Sequence, residues 1–304
     1  MPTNEPRPTK AVRRDEARAK AAQMRKEQER KARRNRIIGI TVLVVAVLAL
    51  AFMVWKIVSN QNQNAANNSE VVYGGSSSNV IPPAIADVKA PAPAQANGGI
   101  PVSGEGAAAV GKVGDGDVVL TIYFDFMCPI CGNFEQINGD DVASILAAGG
   151  TTVEYHPISF LDSRSAGTNY STRAANAAAI VADQSPEHFA AFVSEMYKNQ
   201  PAEGSSGRTD AEIAKIATDL GVPTKVADTF TDTVNGTYQT GSAANAVSHD
   251  GTWRTMAPWV AAGTNQMQTD IGQVSTPTIL INGKAFTNWQ TPGALLAAVN
   301  AAKG

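Results

Sequence analysis

The chain has 304 residues and a formal net charge of −2. This charge is distributed unevenly: residues 1–36 contain thirteen Lys and Arg and five Asp and Glu, a charge of +8, and the remaining residues have a charge of −10. The basic arm has no aromatic side chains on which bases could stack, which argues against a nucleic-acid partner. The chain has two cysteines, and its three histidines lack the spacing of metal ligands, which argues against a zinc site.

A candidate membrane span follows the basic arm. The stretch 37–55 is nineteen residues without a charged side chain, about 28 Å long as a helix, and crosses a hydrocarbon core at that length. The positive-inside rule then places the N-terminus in the cytoplasm. A cleaved signal peptide is the alternative, but its basic region would be unusually long, and no small-x-small cleavage site follows. We therefore predict a basic cytoplasmic arm over 1–36 and a single-pass transmembrane helix over 37–58 in the cell membrane. The remainder is then extracytoplasmic, where disulfides persist.

Residues 59–97 have the composition of a flexible, disordered linker. Seven of the ten residues 59–68 are Asn or Gln, and runs rich in Gly, Ser and Pro follow. Such a segment cannot bury enough apolar surface to offset the entropic cost of ordering it. We expect it to tether, over an r.m.s. span of about 35 Å, a globular domain that occupies residues 98–304.

The globular part begins with an α/β pattern. The stretch 118–126 is apolar almost throughout, as a strand buried on both faces should be. A helix is predicted to open at the CxxC motif, residues 128–131, and the stretch 151–158 alternates like a second strand.

Helical periodicity then replaces the strands over about 161–275. Within this stretch Thr209 and Glu212 have the spacing of a capping box, which predicts a helix start. Strand character returns over 277–281, and Asn282-Gly283 predicts a type I′ hairpin before a final amphipathic helix. The sequence therefore predicts an α/β domain with a large helical insertion.

The CxxC motif suits thiol–disulfide exchange. Its first sulfur lies at a predicted helix N-terminus, where free N–H groups and the helix dipole favour a thiolate, and Pro129 fits the first helical position. We expect the pKa of Cys128 to lie well below about 8.5 and Cys131 to stay protonated. One alternative is a structural disulfide, although so short a loop constrains the unfolded chain little. The other is half of a zinc site.

The order of strand, CxxC helix, strand, helical insertion, Thr-Pro hairpin and final helix resembles a thioredoxin fold. With its inserted helices it resembles the DsbA family of extracytoplasmic disulfide oxidoreductases. The resemblance rests on Phe124-Asp125-Phe126-Met127-Cys128-Pro129-Ile130-Cys131 and Ser275-Thr276-Pro277-Thr278. The single anchor is similar to that of membrane-tethered members from Gram-positive actinobacteria. The resemblance covers residues 98–304.

This resemblance implies a role for each motif residue. Cys128 would be the exposed attacking sulfur, and Cys131 would be its buried resolving partner. Pro277 would be a cis-proline that faces the disulfide across a groove, with Thr276 presenting its backbone to a bound peptide. The alternative for Pro277 is an ordinary strand-entry proline.

Two positions depart from the family pattern. Ile130 stands where DsbA has a histidine, so Cys128 should be less acidic and the disulfide less oxidising. Ile122 stands where the family has a buried carboxylate that serves proton transfer to the inner cysteine. Asp125 could substitute if its carboxyl group faces the sulfurs; a capping or solvated role is the alternative.

Together these residues predict an extracytoplasmic enzyme that introduces disulfides into reduced exported proteins through Cys128 and Cys131, without a cofactor or a metal. Because the chain has no third cysteine, a membrane oxidase must re-oxidise the pair. The resemblance suggests a vitamin K epoxide reductase-like protein for that role. A reductase or isomerase of the same fold, or a non-catalytic anchored peptide-binding module, are the alternatives.

Overall fold

The computed structural model describes residues 10–68, 71–74, 79–104, 109–111 and 113–304, and divides into two compact units, one up to Asn60 and one from Gln61. The helices are α1 (Lys10–Asn68), α2 (Pro129–Ala148), α3 (Tyr170–Gln184), α4 (Phe189–Tyr197), α5 (Asp210–Asp219), α6 (Thr224–Ala227), α7 (Ala257–Ile271) and α8 (Ala294–Lys303). The strands are β1 (Val71–Val72), β2 (Val80–Ile81), β3 (Ile100–Ser103), β4 (Ala109–Val110), β5 (Val118–Phe124), β6 (Thr151–Pro157), β7 (Thr233–Thr240), β8 (Val247–Arg254), β9 (Thr278–Ile281) and β10 (Lys284–Ala285).

Helix α1 contains the candidate membrane span. Its segment Arg33–Phe52 has a mean hydropathy of 2.3, and none of its residues whose burial the structure describes is buried. By length and composition this segment is sufficient to cross a membrane, and it overlaps the span predicted over 37–58. A signal sequence near an N-terminus has the same properties, so the segment is a candidate anchor.

A six-stranded sheet with the order β10-β9-β5-β6-β3-β4 lies in the second unit. Strand β5 pairs in parallel with β6 and antiparallel with β9, so it lies inside the sheet. Six of its seven residues are buried, which accounts for its almost continuous apolar sequence. Helix α2 packs against β6 and α8. The thioredoxin fold implied by the resemblance is confirmed.

Two local signals in the sequence correspond to the structures they predict. Asn282 and Gly283 have φ angles of 48° and 75°, as a type I′ turn requires, and Lys284 pairs with Ile281 across the hairpin. At the start of α5, the Glu212 backbone N–H donates to Thr209 Oγ1 at 3.2 Å. The Thr209 backbone N–H donates in return to Glu212 Oε2 at 2.7 Å, which completes the capping box.

The insertion over 161–275 is not purely helical, which corrects the prediction. Helix α3 forms its centre, with every residue from Tyr170 to Ala182 buried. The insertion also contains an antiparallel hairpin of β7 and β8. Most of β7 is exposed to solvent, so no buried face imposes an apolar alternation on its sequence.

The segment that precedes the domain also differs from the flexible linker predicted over 59–97. Strand β1 pairs in parallel with β8, and β2 pairs antiparallel with β7, which gives a second sheet in the order β1-β8-β7-β2. Tyr73, next to β1, is buried, and its hydroxyl accepts a 3.4 Å hydrogen bond from Arg254 Nε. Strands of two residues are too short to show a periodicity. Residues 69–70 and 75–78 of the predicted linker lie outside the described residues.

Candidate functional site

Cys128 lies at the junction between the central strand β5 and helix α2. The helix begins at Pro129, with Cys128 as its N-cap residue, as the sequence predicted. The Cys128 backbone N–H donates to the Asp125 carbonyl at 2.9 Å, which closes the turn between strand and helix. The backbone N–H groups of Cys131 and Gly132 donate to the Cys128 carbonyl at 3.1 and 3.2 Å. A buried strand thus delivers the first cysteine to a helix N-terminus.

The two thiols of the CxxC motif, both unbonded in this structure, differ in acidity. A hydrogen bond with Cys131 is the main cause that lowers the pKa of Cys128, to about 6. The hydroxyl group of Thr276 and backbone groups of Cys131 and Ile130 act in the same direction, while burial opposes them. Burial raises the pKa of Cys131 well above its ordinary value. At neutral pH the first sulfur is therefore a thiolate and the second a thiol.

Cys128 is less exposed than the resemblance implied. Its exposed fraction is 4%, and that of Cys131 is 2%. The Cys128 sulfur lies against the loop before β9 and, when it is protonated, donates to the Thr276 carbonyl at 3.4 Å. Ile130, in contrast, is 51% exposed, so an apolar side chain faces solvent two residues after Cys128.

Thr276 and Pro277 lie beside the CxxC motif, as the resemblance implied. The peptide bond between them is cis, and Pro277 lines a small cavity together with Cys131. Strand β9 begins directly after Pro277, so this proline also stands at a strand entry. The Thr276 Oγ1 atom is buried and has no hydrogen-bond partner among the described atoms. Because it has no other partner there, this hydroxyl group is available to donate to a thiolate as one forms, which lowers the pKa of both cysteines.

Asp125 is fully buried and stabilises the turn before α2. Its carboxylate accepts hydrogen bonds from the Met127 N–H at 2.8 Å, the Leu161 N–H at 2.9 Å and the Ser171 hydroxyl at 2.6 Å. Burial raises the pKa of Asp125 to about 7, and these donors oppose the rise. In the described part of the chain, none of the hydrogen bonds of this carboxylate reaches a sulfur. The carboxylate therefore stabilises the turn before α2 without capping the helix, whose N-cap is Cys128, and burial excludes the solvated role.

Two residues of the insertion that the sequence did not single out complete the site. The Tyr197 hydroxyl, at the end of α4, donates to the Asp125 carbonyl at 3.2 Å. Gln200 Nε2 donates to the carbonyls of Phe126 and Cys128 at 2.9 and 3.0 Å. Both lie about seventy residues from the CxxC motif, and their side chains bond to backbone atoms. No local motif marks such a contact.

Comparison with known proteins gives one family and several similar structures. A sequence model described as thioredoxin matches residues 106–301. The structure of the reduced form of the disulfide bond oxidoreductase DsbG from Mycobacterium tuberculosis is 27% identical in sequence. The alignment has a TM-score of 0.50 and covers 67% of this chain and 86% of that one. MdbA, a thiol–disulfide oxidoreductase from Actinomyces oris, has a TM-score of 0.52 over 72% of this chain and 96% of its own. At 19% identity, that likeness concerns the fold alone.

A curated relative matches a shorter part of the chain. The serine/threonine-protein kinase PknE of Mycobacterium tuberculosis (strain H37Rv) is 37% identical over 150 residues, which is 48% of this chain. The match spans 25% of the length of PknE. Together with the structures, the family match confirms the resemblance drawn from the CxxC and Thr-Pro motifs.

Proposed function

The chain belongs to the thioredoxin family, and from this premise we propose that it introduces disulfide bonds into exported proteins through Cys128 and Cys131. The observation that carries the proposal is the position of Cys128. Its sulfur lies at the start of α2, within hydrogen-bond distance of the Thr276 backbone, and its pKa is lowered to about 6. A readily ionised sulfur at a helix N-terminus is the arrangement that disulfide exchange needs.

The reaction consists of two exchange steps. In the first, a substrate thiolate attacks Cys128 Sγ of the oxidised pair, the S–S bond breaks, and Cys131 leaves with the electron pair and takes up a proton. In the second, another substrate thiolate attacks the substrate sulfur of the mixed disulfide and releases Cys128 as a thiolate. Because the pKa of Cys128 is lowered to about 6, this sulfur is a good leaving group. The substrate is oxidised by two electrons and the enzyme is reduced by two.

The surface around Cys128 fits an extended, unfolded substrate. The exposed Ile130, two residues after Cys128, offers an apolar contact, and the backbone at Thr276, within hydrogen-bond distance of the sulfur, offers hydrogen-bonding groups. A peptide that adds to such a backbone is recognised through its main chain, so many sequences are accepted. Reduced exported proteins have no fixed sequence around their cysteines, so an enzyme that acts on them needs main-chain recognition of this kind.

Re-oxidation needs a second protein, because the chain has no cysteine beyond the CxxC pair. The apolar segment Arg33–Phe52 supports an anchored enzyme with a cytoplasmic N-terminus and an extracytoplasmic domain. We place the domains at the arm 1–36, the span 37–58 and a folded part that begins near β1. The electron acceptor is then a membrane oxidase, and a vitamin K epoxide reductase-like protein has the required chemistry.

The acidity of Cys128 also supports the reverse reaction, in which the enzyme reduces disulfides. Ile130 carries no charge, so Cys128 lacks the imidazolium that would stabilise its thiolate further. A pKa of about 6 lies between those of a reducing family member, about 7, and a strongly oxidising one, about 3.5. We expect a reduction potential between about −270 and −120 mV. Equilibration with glutathione mixtures measures it; a value at the lower limit would favour a reductase.

Substrate trapping tests the proposed function directly. In Cys131→Ala the lone Cys128 thiolate attacks a disulfide of an oxidised substrate protein, and the second substrate sulfur leaves as a thiolate. Because Cys131 is then absent and cannot attack this mixed disulfide to release the substrate, mixed disulfides should accumulate and disappear on reduction. Cys128→Ala is the matched control and should trap nothing. If Cys131→Ala captures no exported protein and Cys128→Ala retains full function in cells, the chain is a non-catalytic binding module.

A further inference from the structure

Gln200 joins the helical insertion to the turn that carries Cys128. Its Nε2 atom donates to the Phe126 carbonyl at 2.9 Å and to the Cys128 carbonyl at 3.0 Å. A side-chain amide has two N–H bonds, so each carbonyl can accept one of them. The two carbonyls flank Met127, which is fully buried. One side chain thus holds the last three residues before α2.

The two carbonyls differ in their other partners. The Cys128 carbonyl is the first acceptor of α2 and also accepts from the backbone N–H groups of Cys131 and Gly132, at 3.1 and 3.2 Å. The Phe126 carbonyl lies outside both β5 and α2, and in the described part of the chain its donor is Gln200. Phe126 is fully buried, so without Gln200 its carbonyl would lack a hydrogen bond away from water.

The glycine at position 132 makes room for the Gln200 side chain. A Cβ atom at this position would overlap Gln200 Oε1, so the amide lies directly against the first turn of α2. Gly132 is inside the helix and is not among the residues with a positive φ, so its backbone conformation does not require glycine. Alanine is more stable than glycine in a helix. The close approach of Gln200 therefore accounts for a glycine here.

The turn that presents Gln200 has hydrogen bonds of its own. The Gln200 backbone N–H donates to the Tyr197 carbonyl at 3.2 Å, which closes the turn after α4. The Arg208 guanidinium group donates to the carbonyls of Lys198 and Asn199 at 2.6 and 3.1 Å. The amide of Gln200 is therefore held by a fixed backbone, which suits it to hold the active-site turn in place.

We propose that Gln200 is a positioning residue for the exchange reaction, which keeps the Cys128 thiolate at the N-terminus of α2 by holding the Phe126 and Cys128 carbonyls. In the disulfide a covalent bond to Cys131 holds the Cys128 sulfur. In the reduced enzyme the position of this sulfur depends mainly on the backbone of the turn. Gln200 therefore stabilises the thiolate more than the disulfide, which makes the enzyme more oxidising. This role rests on the proposed function, since it concerns the same pair of cysteines.

A second effect of Gln200 has the same direction. Carbonyl oxygens have a negative partial charge, and the Cys128 oxygen belongs to the same residue as the thiolate. An N–H donor at this oxygen offsets part of that charge, so the thiolate is repelled less. In the described part of the chain the Gln200 side chain bonds to the two carbonyls and to neither sulfur, so it acts through the backbone.

The test measures the pKa of Cys128 by thiolate absorbance and the equilibrium with glutathione, in the full-length protein held in detergent. Gln200→Met retains an unbranched side chain of similar length without N–H donors. Gly132→Ala retains Gln200 but displaces its amide from the carbonyls. Gly139→Ala is the matched control. Gly139 is on the same helix and lines the same groove between α2 and α4, but a Cβ atom there would meet Glu135 at 3.0 Å.

We expect Gln200→Met and Gly132→Ala each to lower the ionisation constant of Cys128 about fivefold, the size of one hydrogen bond, which raises its pKa by about 0.7 unit. At pH 7 the glutathione equilibrium should shift about fourfold toward the oxidised enzyme, and at pH 5 the shift should disappear, because little thiolate is then present. The double variant should shift no further than either single variant, since both remove the same contact. Gly139→Ala should follow the parent.

Several results would overturn the role of Gln200 and leave the proposed function intact. They are a pKa and an equilibrium equal to those of the parent in both variants, a shift that persists at pH 5, an equal shift in Gly139→Ala, and additive shifts in the double variant. Circular dichroism shows whether each variant folds, and if Gln200→Met does not, Gly132→Ala decides the test, since alanine favours a helix. A parent whose cysteines do not exchange with glutathione at any pH would remove the proposed function itself.

Discussion

Replacing Ile130 by histidine should make the disulfide more oxidising. The side chain at this position is half exposed and follows Cys128 by two residues, so an imidazolium there is close to the thiolate without being buried. It stabilises the thiolate of the reduced enzyme and has no corresponding charge to stabilise in the disulfide. Because only the reduced state gains, the reduction potential rises.

The magnitude follows from the charge interaction. Two unit charges about 5 Å apart interact by about 1 to 3 kcal/mol between the dielectric constants of water and of a protein surface. Because Ile130 is 51% exposed, solvent screening selects the lower end, about one pKa unit. The pKa of Cys128 would then fall from about 6 to about 5. At pH 7 an imidazole with an ordinary pKa of about 6.5 is only partly protonated, so the reduced form is stabilised by about 0.6 kcal/mol, or about 15 mV. At pH 5 the gain shrinks to less than about 10 mV, because the thiolate is then only partly formed.

Thiolate absorbance against pH measures the pKa, and equilibration with glutathione measures the potential of the same preparation. Ile130→Gln is the matched control, since glutamine is polar and of similar size but uncharged. A shift of equal size in both variants would assign the effect to polarity, and no shift in Ile130→His would place the side chain too far from the sulfur. A gain that did not shrink between pH 7 and pH 5 would also refute the reasoning.

Three further predictions concern Thr276, Asp125 and the anchor. Thr276→Val removes the buried hydroxyl group and should raise the pKa of Cys128 by about one unit in thiolate absorbance, whereas Thr276→Ser should not. Burial raises the pKa of Asp125 to about 7 in the folded state, whereas in the unfolded chain this pKa is about 4. The stabilisation from the protonated carboxyl group is therefore complete below about pH 4 and is lost as the pH rises to about 7. Urea unfolding should show this loss, up to about 4 kcal/mol, in the parent but not in Asp125→Asn. Protease added to spheroplasts should digest the domain and spare the basic arm 1–36.

Each of these has an outcome that contradicts it. Equal pKa values in Thr276→Val and Thr276→Ser would mean that the hydroxyl group does not act on the sulfur. A pH dependence of unfolding that persists in Asp125→Asn would assign it to another buried acid, of which Asp162 is the nearest in properties. A soluble secreted form that begins near Asn60 would replace the anchor by a cleaved signal peptide.

The sequence predicted those parts of the fold whose signals are local. An apolar run of seven residues, an N-cap cysteine followed by proline, the Thr209–Glu212 box and the Asn282-Gly283 turn each depend on neighbours within a few residues. Their structures therefore follow from short-range physics, and the order of these elements was enough to indicate the fold.

The parts that escaped prediction depend on distant contacts. Strands β1 and β2 have two residues each and exist because β8 and β7 offer them free edges. The contacts of Tyr197 and Gln200 with the active-site turn join the end of α4 to backbone carbonyls about seventy residues away. Every residue has a backbone carbonyl, so no pattern of side chains in the sequence indicates which carbonyl these groups contact.

The pairing of β1 and β2 with the hairpin has a consequence for any shortened form of the protein. A two-stranded ribbon has two open edges, each with unpaired N–H and C=O groups that another chain can join. Here the polypeptide's own preceding segment occupies part of both edges, and Tyr73 covers the adjoining surface. A soluble fragment begun at residue 98 would uncover both edges at once. Such a fragment should self-associate through strand exchange more readily than one begun before β1.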